Sequence, residues 1–153
     1  MDSGTILGLD IGGSSLTLGA WQHSGGTLGD RVFWADGIKV NASANDDPKQ
    51  VCDAIAELVR EHSKPLKGSP AALGIGSAGL IKDGVILQSP NTPWDHLPLA
   101  EPLSHILDLP VTLINDADAF LLGVLSKEAE LPHEGVVWDF KAKQVTAYWK
   151  EAL

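Results

Sequence analysis

The chain is poor in cysteine and in basic residues. Of its 153 residues, one is cysteine and 11 are lysine or arginine, against 20 aspartates and glutamates, so the net charge is −9. Because Cys52 stands alone, an intrachain disulfide and a metal site built on several thiolates are excluded, as is typical of a reducing compartment. Surfaces that bind nucleic acid or anionic lipid are normally basic. We therefore expect a cytoplasmic protein that binds neither nucleic acid nor membranes.

Long apolar runs are also missing. No stretch reaches the roughly 18 apolar residues that a membrane-spanning helix needs. Residues 1–15 have no basic segment and carry Asp10 within their apolar part, so we expect no signal peptide. The 16 glycines and 9 prolines follow no period, which excludes collagen, and a hydrophobic content of 44% is ordinary for a globular domain.

The apolar pattern predicts alternating strands and helices. Residues 6–11 and 16–21 are joined by a short Gly-rich turn and should form an antiparallel hairpin, with a third strand near residues 31–40. Later strands are predicted at residues 71–75 and 111–114, with a small hairpin over residues 81–87. Later helices are predicted at residues 99–108 and 117–130. This order predicts an α/β fold whose mixed sheet opens with an antiparallel meander and is flanked by helices.

The clearest helix follows Asp47. Apolar side chains recur every three or four residues from Val51 onward and form one stripe. Asp47 suits an N-cap, Pro48 suits the first helical position, and Gln50 stands where a capping box requires it. Pro65 predicts the end of the helix.

The end of the chain differs in composition from the rest. Residues 132–153 contain four of the nine aromatic residues. Residues 136–140 and 144–149 could form two short strands there. We therefore divide the chain into a main lobe, residues 1–131, and a divergent tail, residues 132–153.

Residues 74–79 match the pattern G-x-G-x-x-G of dinucleotide-binding turns. In those folds the glycines open a helix whose N-terminus holds the pyrophosphate. Here residues 80–86 predict a strand, a turn and a strand, so we expect neither NAD nor FAD. The glycines are instead typical of close packing, a bend, or a backbone that lies against a small ligand.

The turn after the first strand is a candidate phosphate site. Gly12 and Gly13 let the backbone turn tightly and direct N–H groups at an anion, and Ser14 adds a hydroxyl donor. Asp10 could hold Mg²⁺, or its bound water, beside a phosphate. The same residues also suit a plain hairpin turn, and that alternative stays open.

Asn115 and Asp116 follow the predicted strand at residues 111–114. Open α/β sheets bind ligands at the carboxyl ends of their strands, where Asp116 could accept the proton of an attacking hydroxyl. The Asn115 amide could both donate to and accept from sugar hydroxyls. Asp116 would serve equally well as a helix N-cap.

Residues 89–94 form a loop that two prolines stiffen. Asn91 and Trp94 could present an amide and a ring to a polar ligand with apolar faces. A structural loop with Trp94 packed into the core is the alternative.

Together, these segments resemble the ROK family of sugar kinases and sugar-responsive repressors, which belongs to the superfamily of sugar kinases, actin and heat-shock chaperones. Members open with D-I-G-G-[TS] and continue with G-x-G-x-x-G-x-[VI]. S-P-N near a Trp follows, and then L-P-V with N-D-A-N-A at a strand–helix junction. The matching segments, in the same order, are residues 10–14, 74–81, 89–94 and 109–119.

The resemblance implies an actin-like ATPase (ribonuclease H-like) lobe that takes part in transferring the terminal phosphoryl group of ATP, with Mg²⁺, to a hexose hydroxyl. The positions that match the phosphate and magnesium site are Asp10, Gly12, Gly13 and Ser14. The positions that match sugar-binding residues are Gly79, Asn91 and Asn115. The position that matches the catalytic base is Asp116.

The chain also departs from the family pattern. Ser15 stands where members often have Lys, and Asp118 replaces a more usual Asn. The second Gly-rich phosphate loop, the adenine pocket, the E-x-G-H segment and the Cys/His zinc site of longer members have no match. We therefore expect an N-terminal sugar-kinase lobe without zinc, inactive alone, whose partner is a C-terminal lobe or another copy of the chain.

Two alternatives remain at this point. The chain could be a sugar-binding or interaction module without catalysis, or a truncated and decayed copy of a kinase. The repressors of the family carry an N-terminal helix-turn-helix. Because the first strand is predicted to start near residue 5, we expect no such segment in this sequence and no direct binding of DNA.

Overall fold

A computed structural model of the protein describes residues 3–25, 27–43, 47–127, 134–139 and 144–150. The strands of the first half are β1 (Ser3–Ile11), β2 (Leu16–Ser24) and β3 (Thr27–Ile38), followed by α1 (Pro48–Ser63). Next come β4 (Ala72–Ser77), β5 (Leu80–Lys82), β6 (Val85–Gln88) and β7 (Leu97–Pro98). The remaining elements are α2 (Ala100–Leu107), β8 (Val111–Asn115), α3 (Asp116–Lys127), β9 (Glu134–Asp139) and β10 (Gln144–Lys150).

Five strands form the main sheet in the order β3-β2-β1-β4-β8. The first three strands pair antiparallel, whereas β4 is parallel to β1 and β8 is parallel to β4. The predicted mixed sheet with an opening meander is therefore confirmed. Because β1, β4 and β8 run in the same direction, their carboxyl ends share one edge of the sheet.

One face of the sheet carries the hydrophobic core. Along β1, Leu7, Leu9 and Ile11 are buried at alternate positions, as expected when side chains of a strand alternate between faces. They share the core with the apolar stripe of α1, in which Val51 and Ile55 are almost fully buried. The helix begins with the predicted capping box: Asp47 Oδ1 accepts from Lys49 N, and Gln50 Oε1 accepts from Asp47 N, each at 3.0 Å.

The other face of the sheet is only partly covered. Helix α3 packs over β4 and β8, and the face of β1, β2 and β3 lies open beside it. Gly8 and Gly19 leave room there for the Trp21 ring: a Cβ would lie 2.5 Å from the ring at Gly19 and 3.0 Å from it at Gly8. Trp21 meets the Trp34 ring edge to face at 6.3 Å between centroids, and the Arg31 guanidinium lies 4.8 Å from the Trp34 ring centroid.

Element boundaries differ from the predicted ones in a few places. Strand β3 starts four residues before the predicted residue 31, because its pairing with β2 continues along exposed residues without an apolar pattern. The two-residue strand β7 was not predicted. It completes a small second sheet with β5 and β6, whose hairpin turns at Asp83 and Gly84 as expected.

The tail contains the two predicted strands. Strands β9 and β10 pair antiparallel, and β10 contacts α3. Residues 128–130, the predicted end of the third helix, lie outside the described residues, as does residue 140. No helix in the described part of the chain is long and apolar enough to cross a membrane.

Candidate active site

The candidate magnesium ligand and the candidate base lie on either side of Gly76. In the sheet register, Asp10 of β1 is level with Gly76 of β4, which is level with Ile114 of β8. A Cβ built on Gly76 would lie 3.9 Å from Asp10 Oδ1 and 3.7 Å from the Asp116 Cα. The same Cβ would lie 3.3 Å from the Ala119 Cβ, so the missing side chain lets α3 approach the sheet closely. The structure thus brings Asp10 and Asp116 together at one edge.

The electrostatics of this edge are those of several carboxylates held close together. Partial desolvation raises the pKa of Asp10, and the negative charges of Asp116 and Asp36 raise it further. Desolvation and the charge of Asp116 also raise the pKa of Asp118. By contrast, hydrogen bonds from the Thr17 hydroxyl and from a backbone N–H lower the pKa of Asp36. A cation bound here would relieve the mutual repulsion of these carboxylates.

Asn115 joins two parts of the site. Its Nδ2 donates to the Gly79 carbonyl at 2.9 Å, and its Oδ1 accepts from Ala117 N at 2.9 Å. The second contact caps the first turn of α3 from the position just before the helix. Asp116 is therefore the first residue of α3, with its side chain exposed and one oxygen also 2.9 Å from Ala117 N. The sequence allowed Asp116 to cap this helix. In the structure the side chains of Asn115 and Asp116 both accept from Ala117 N, so the cap does not depend on Asp116 alone.

Both the backbone conformation at residue 79 and the atoms around it require a glycine there. Its φ of 110° is one that side-chain-bearing residues rarely adopt. A Cβ at this position would overlap the Gln88 carbonyl oxygen and lie 2.8 Å from the Ser89 Cα. Strand β5 follows at once, which confirms that this glycine motif does not open a helix.

The first Gly-rich loop rests on the Asn91 backbone. Gly12 N donates to the Ser15 carbonyl at 3.0 Å, so this N–H closes the hairpin and is not free for an anion. A Cβ on Gly13 would come within 2.7 Å of the Asn91 carbonyl oxygen, which makes close approach the reason for this glycine. Within the described residues, the N–H groups of Gly13 and Ser14 have no protein acceptor. Two N–H groups and an exposed hydroxyl therefore remain available to a ligand.

The Pro-containing loop separates its two candidate residues. Ser89 Oγ accepts hydrogen bonds from Asn91 N at 3.4 Å and Thr92 N at 3.2 Å, which holds the loop in a turn. Asn91 is exposed beside the first loop. Trp94 is only 6% exposed and belongs to the hydrophobic core, as the structural alternative proposed. The ring is therefore not presented to a ligand.

All eight predicted positions thus share one rim of the sheet. Sequence reasoning assigned no site role to two residues beside them. Gly76 belongs to the motif at residues 74–79, for which close packing was one interpretation, and the alternation of Gly74 and Gly76 along a strand indicates an element packed against that face. Lys39, whose Nζ donates to the Ser14 carbonyl at 2.9 Å, gave no signal, since the register of β3 places it there.

A broad groove opens beside this rim. It has a volume of about 1480 Å³ and follows the open face of the sheet up to α3, with Asp10 and Asp116 among its lining residues. Much of its remaining lining is apolar and includes Trp34 and Phe120, which are 49% and 74% exposed. A smaller hollow of about 410 Å³ between Gly84 and α2 contains no predicted site residue.

Comparison with known proteins identifies relatives of this chain. The ROK family matches residues 6–138. The glucokinase of Thermotoga maritima is 30% identical over 135 residues, which are 86% of this chain and 40% of that enzyme. The N-acetylmannosamine kinase of Escherichia coli O139:H28 is 33% identical over 118 residues, 75% of this chain and 37% of that enzyme. The chain therefore spans about two fifths of the length of these curated relatives.

The fold agrees with these relatives. The crystal structure of a ROK family glucokinase from Streptomyces griseus, in complex with glucose and AMPPNP, superposes with a TM-score of 0.60 and 27% identity. The superposition covers 90% of this chain and 42% of that enzyme. The expected actin-like kinase fold is thus confirmed. Because the family match extends over most of the sequence and carries all four motifs, the chain belongs to the ROK family.

Proposed function

We propose that this chain forms the N-terminal, sugar-binding lobe of a kinase that transfers the terminal phosphoryl group of ATP to a hexose hydroxyl. The observation that carries the proposal is the meeting of Asp10, Asp116 and the Asn115–Gly79 pair on one rim. The relatives support it, since they are glucose and N-acetylmannosamine kinases, and one was solved with glucose and AMPPNP.

Asp116 is the general base in this proposal. Its exposed carboxylate accepts the proton of the sugar hydroxyl as that oxygen attacks the terminal phosphorus of ATP. The bond from phosphorus to the bridging oxygen then breaks, so ADP leaves and a sugar phosphate forms. Asn115 and Asn91 bind sugar hydroxyls, and the backbone at Gly79 allows the ring to approach.

The Gly-rich loop binds phosphate in this proposal. The N–H groups of Gly13 and Ser14 and the Ser14 hydroxyl donate to phosphate oxygens. Asp10 would hold Mg²⁺ or one of its waters. The described residues contain no group of three or more ligating side chains placed for a metal. In this proposal the magnesium ion is carried mainly by phosphates and water and is held by one carboxylate. When bound, Mg²⁺ supplies neutralisation of phosphate charge.

The apolar groove is the proposed docking surface for the second lobe of the kinase. Its apolar residues border Asp10 and Asp116, so a lobe seated there would close over the reacting groups. Phosphoryl transfer depends on groups that hold the phosphates from several sides. We therefore expect no meaningful kinase activity from the 153 residues alone, and expect activity once a complementary lobe is supplied.

Two measurements test the proposal. Glucose and N-acetylmannosamine titrated into the ¹⁵N-labelled chain should shift the amide signals of Gly79, Asn91 and Asn115. A fusion of this chain to the remaining part of the T. maritima glucokinase should phosphorylate one of these sugars from ATP. Failure of both sugars to shift these amides, together with an inactive but folded fusion, would exclude the proposed function. Sugar binding with an inactive folded fusion would favour a binding module.

A further inference from the structure

A β-bulge sets the position of the chain just after β3. Leu18 pairs with Ala35, whereas Leu16 pairs with Ile38, so β3 has one extra residue in this interval. Gly37, with a φ of 66°, lies in the bulge, where nothing lies within 4 Å of the place a Cβ would take. The bulge buries Ile38 in the core, leaving it 7% exposed.

Lys39 is the next residue, and the antiparallel register directs it to the Gly-rich loop. Extending the pairing of Leu16 with Ile38 by one step places Lys39 opposite Ser15. Its Nζ donates to the Ser14 carbonyl at 2.9 Å. The side chain is exposed, and no described carboxylate forms an ion pair with it. Because an ammonium group has three N–H donors, two remain for a ligand at the loop.

The carboxylates at this edge of the sheet repel an approaching phosphate, and a positive charge nearby would offset that repulsion. Asp10, Asp36 and Asp116 are close enough for the last two to act on the ionisation of the first. A polyphosphate that approaches the loop meets their negative charges, and two backbone N–H groups offer only partial positive charges in return. Lys39 brings a full positive charge to the same loop.

We propose that Lys39 is a phosphate-binding residue that contacts the polyphosphate chain of the nucleotide at the Gly-rich loop while staying anchored to the Ser14 carbonyl. This rests on the proposed kinase function, since it names a further residue of the same phosphate site. A contact from Lys39 would supply the positive charge that Ser15 lacks, at the position where family members often have Lys.

The full 153-residue chain tests this with tripolyphosphate and Mg²⁺ as the probe. The amide signals of Gly13 and Ser14 report binding to the loop, and glucose is titrated separately with Gly79 and Asn115 as reporters. Lys39→Met should weaken tripolyphosphate binding by about fivefold or more, because it removes a charge-assisted hydrogen bond. Lys39→Arg should keep the affinity within about twofold, because it restores both the charge and a donor.

Lys67→Met is the matched control. It makes the same change in net charge, but it lies exposed in the turn between α1 and β4, near the edge where β4 begins. A long-range effect of one charge there should stay below about twofold at physiological salt. Equal affinities for the Lys39→Met and Lys67→Met variants would overturn the inference, as would an unaltered Gly13 and Ser14 spectrum when tripolyphosphate is added to the unmodified chain.

The glucose titration separates the two proposals. If the Lys39→Met variant responds to glucose as the unmodified chain does but binds tripolyphosphate more weakly, the result supports both the proposed function of the lobe and the role of Lys39. Normal glucose shifts without any effect of Lys39→Met refute the role of Lys39 alone. A Lys39-dependent response to tripolyphosphate, without a response to glucose here or to N-acetylmannosamine in the titration above, supports the phosphate contact and counts against the sugar-kinase proposal.

Discussion

The Asn115 side chain donates a hydrogen bond to the Gly79 carbonyl at 2.9 Å, although the two residues are 36 positions apart. The same amide accepts a hydrogen bond from Ala117 N. One side chain therefore holds the Gly79 turn, the end of β8 and the start of α3 in a fixed relation. Both partners of this hydrogen bond belong to the proposed sugar site, so the geometry of that site depends on the bond.

The two roles of Asn115 can be separated by substitution. Asn115→Ser keeps a good capping oxygen but is too short to reach Gly79, so we expect a loss of about 1 kcal/mol from the free energy of unfolding. Asn115→Ala loses the cap as well and should cost about 2 kcal/mol. Urea denaturation measures both values. Equal stability of the two variants would show that the cap contributes nothing.

Glycines with positive φ should differ in their tolerance of alanine. Gly37→Ala meets open space, so we expect only the conformational cost of about 1–2 kcal/mol. Gly79→Ala adds a collision with the Gln88 carbonyl and should cost more than about 3 kcal/mol. Thermal unfolding of the two variants, each compared with the unmodified chain, gives the ranking. A Gly79→Ala variant no less stable than Gly37→Ala would contradict the close packing at Gly79.

Asp116→Asn tests the proposed base. Because Asn115 caps α3, this substitution should leave the stability of the lobe nearly unchanged. In the fused kinase, turnover should fall by about 10²–10⁴-fold while hexose affinity is preserved. In the isolated lobe, loss of the Asp116 charge should lower the pKa of Asp10 and of Asp118, which carbon-detected NMR titration can follow. Near-normal turnover of the fused variant would refute the assignment of Asp116 as the general base.

Asp10 gives the stability of the lobe a pH dependence of known sign. Its pKa is raised in the folded protein, so between the unfolded and folded pKa values the folded state binds more protons. This contribution favours folding below the unfolded pKa and is lost as the pH rises through the folded pKa. Asp10→Asn should therefore stabilise the lobe at neutral pH, and the gain should vanish as the pH falls below the unfolded pKa of about 3.9. Urea unfolding under both conditions measures it, and a gain that increases in acid would show that desolvation and charge repulsion do not destabilise the ionised carboxylate.

The groove should make the isolated lobe bind apolar dyes or associate with itself. Phe120 is 74% exposed within the groove, whereas Leu80 is 60% exposed outside it. Phe120→Gln should therefore reduce dye fluorescence or self-association, and Leu80→Gln should do so much less. Dye titration and analytical ultracentrifugation compare the two variants. An equal effect of both would show that the groove is no special docking surface.

Much of the fold was predictable because its signals are local. The capping box at Asp47 and Gln50 depends on residues three positions apart, and the apolar stripe of α1 repeats every turn. The strand pattern that follows residues 74–79 was enough to distinguish this motif from a dinucleotide-binding turn, which opens a helix. The roles assigned to the eight site residues remain predictions. The carboxyl ends of the parallel strands β1, β4 and β8 account for the placement of seven of them, whereas Asn91 reaches the same rim through the close approach of its loop to Gly13.

Apart from the two-residue strand β7, the sequence by itself determined which elements form, their order and the family. The reason is that capping hydrogen bonds and the period of apolar residues involve positions that are close together along the chain. Only the tertiary structure decided which residues meet. Gly76 separates Asp10 from Asp116, Trp94 lies in the core, and a bulge at Gly37 carries Lys39 to the Gly-rich loop. These facts depend on strand register and on the close approach of distant segments, and the spacing of residues along the chain does not specify either.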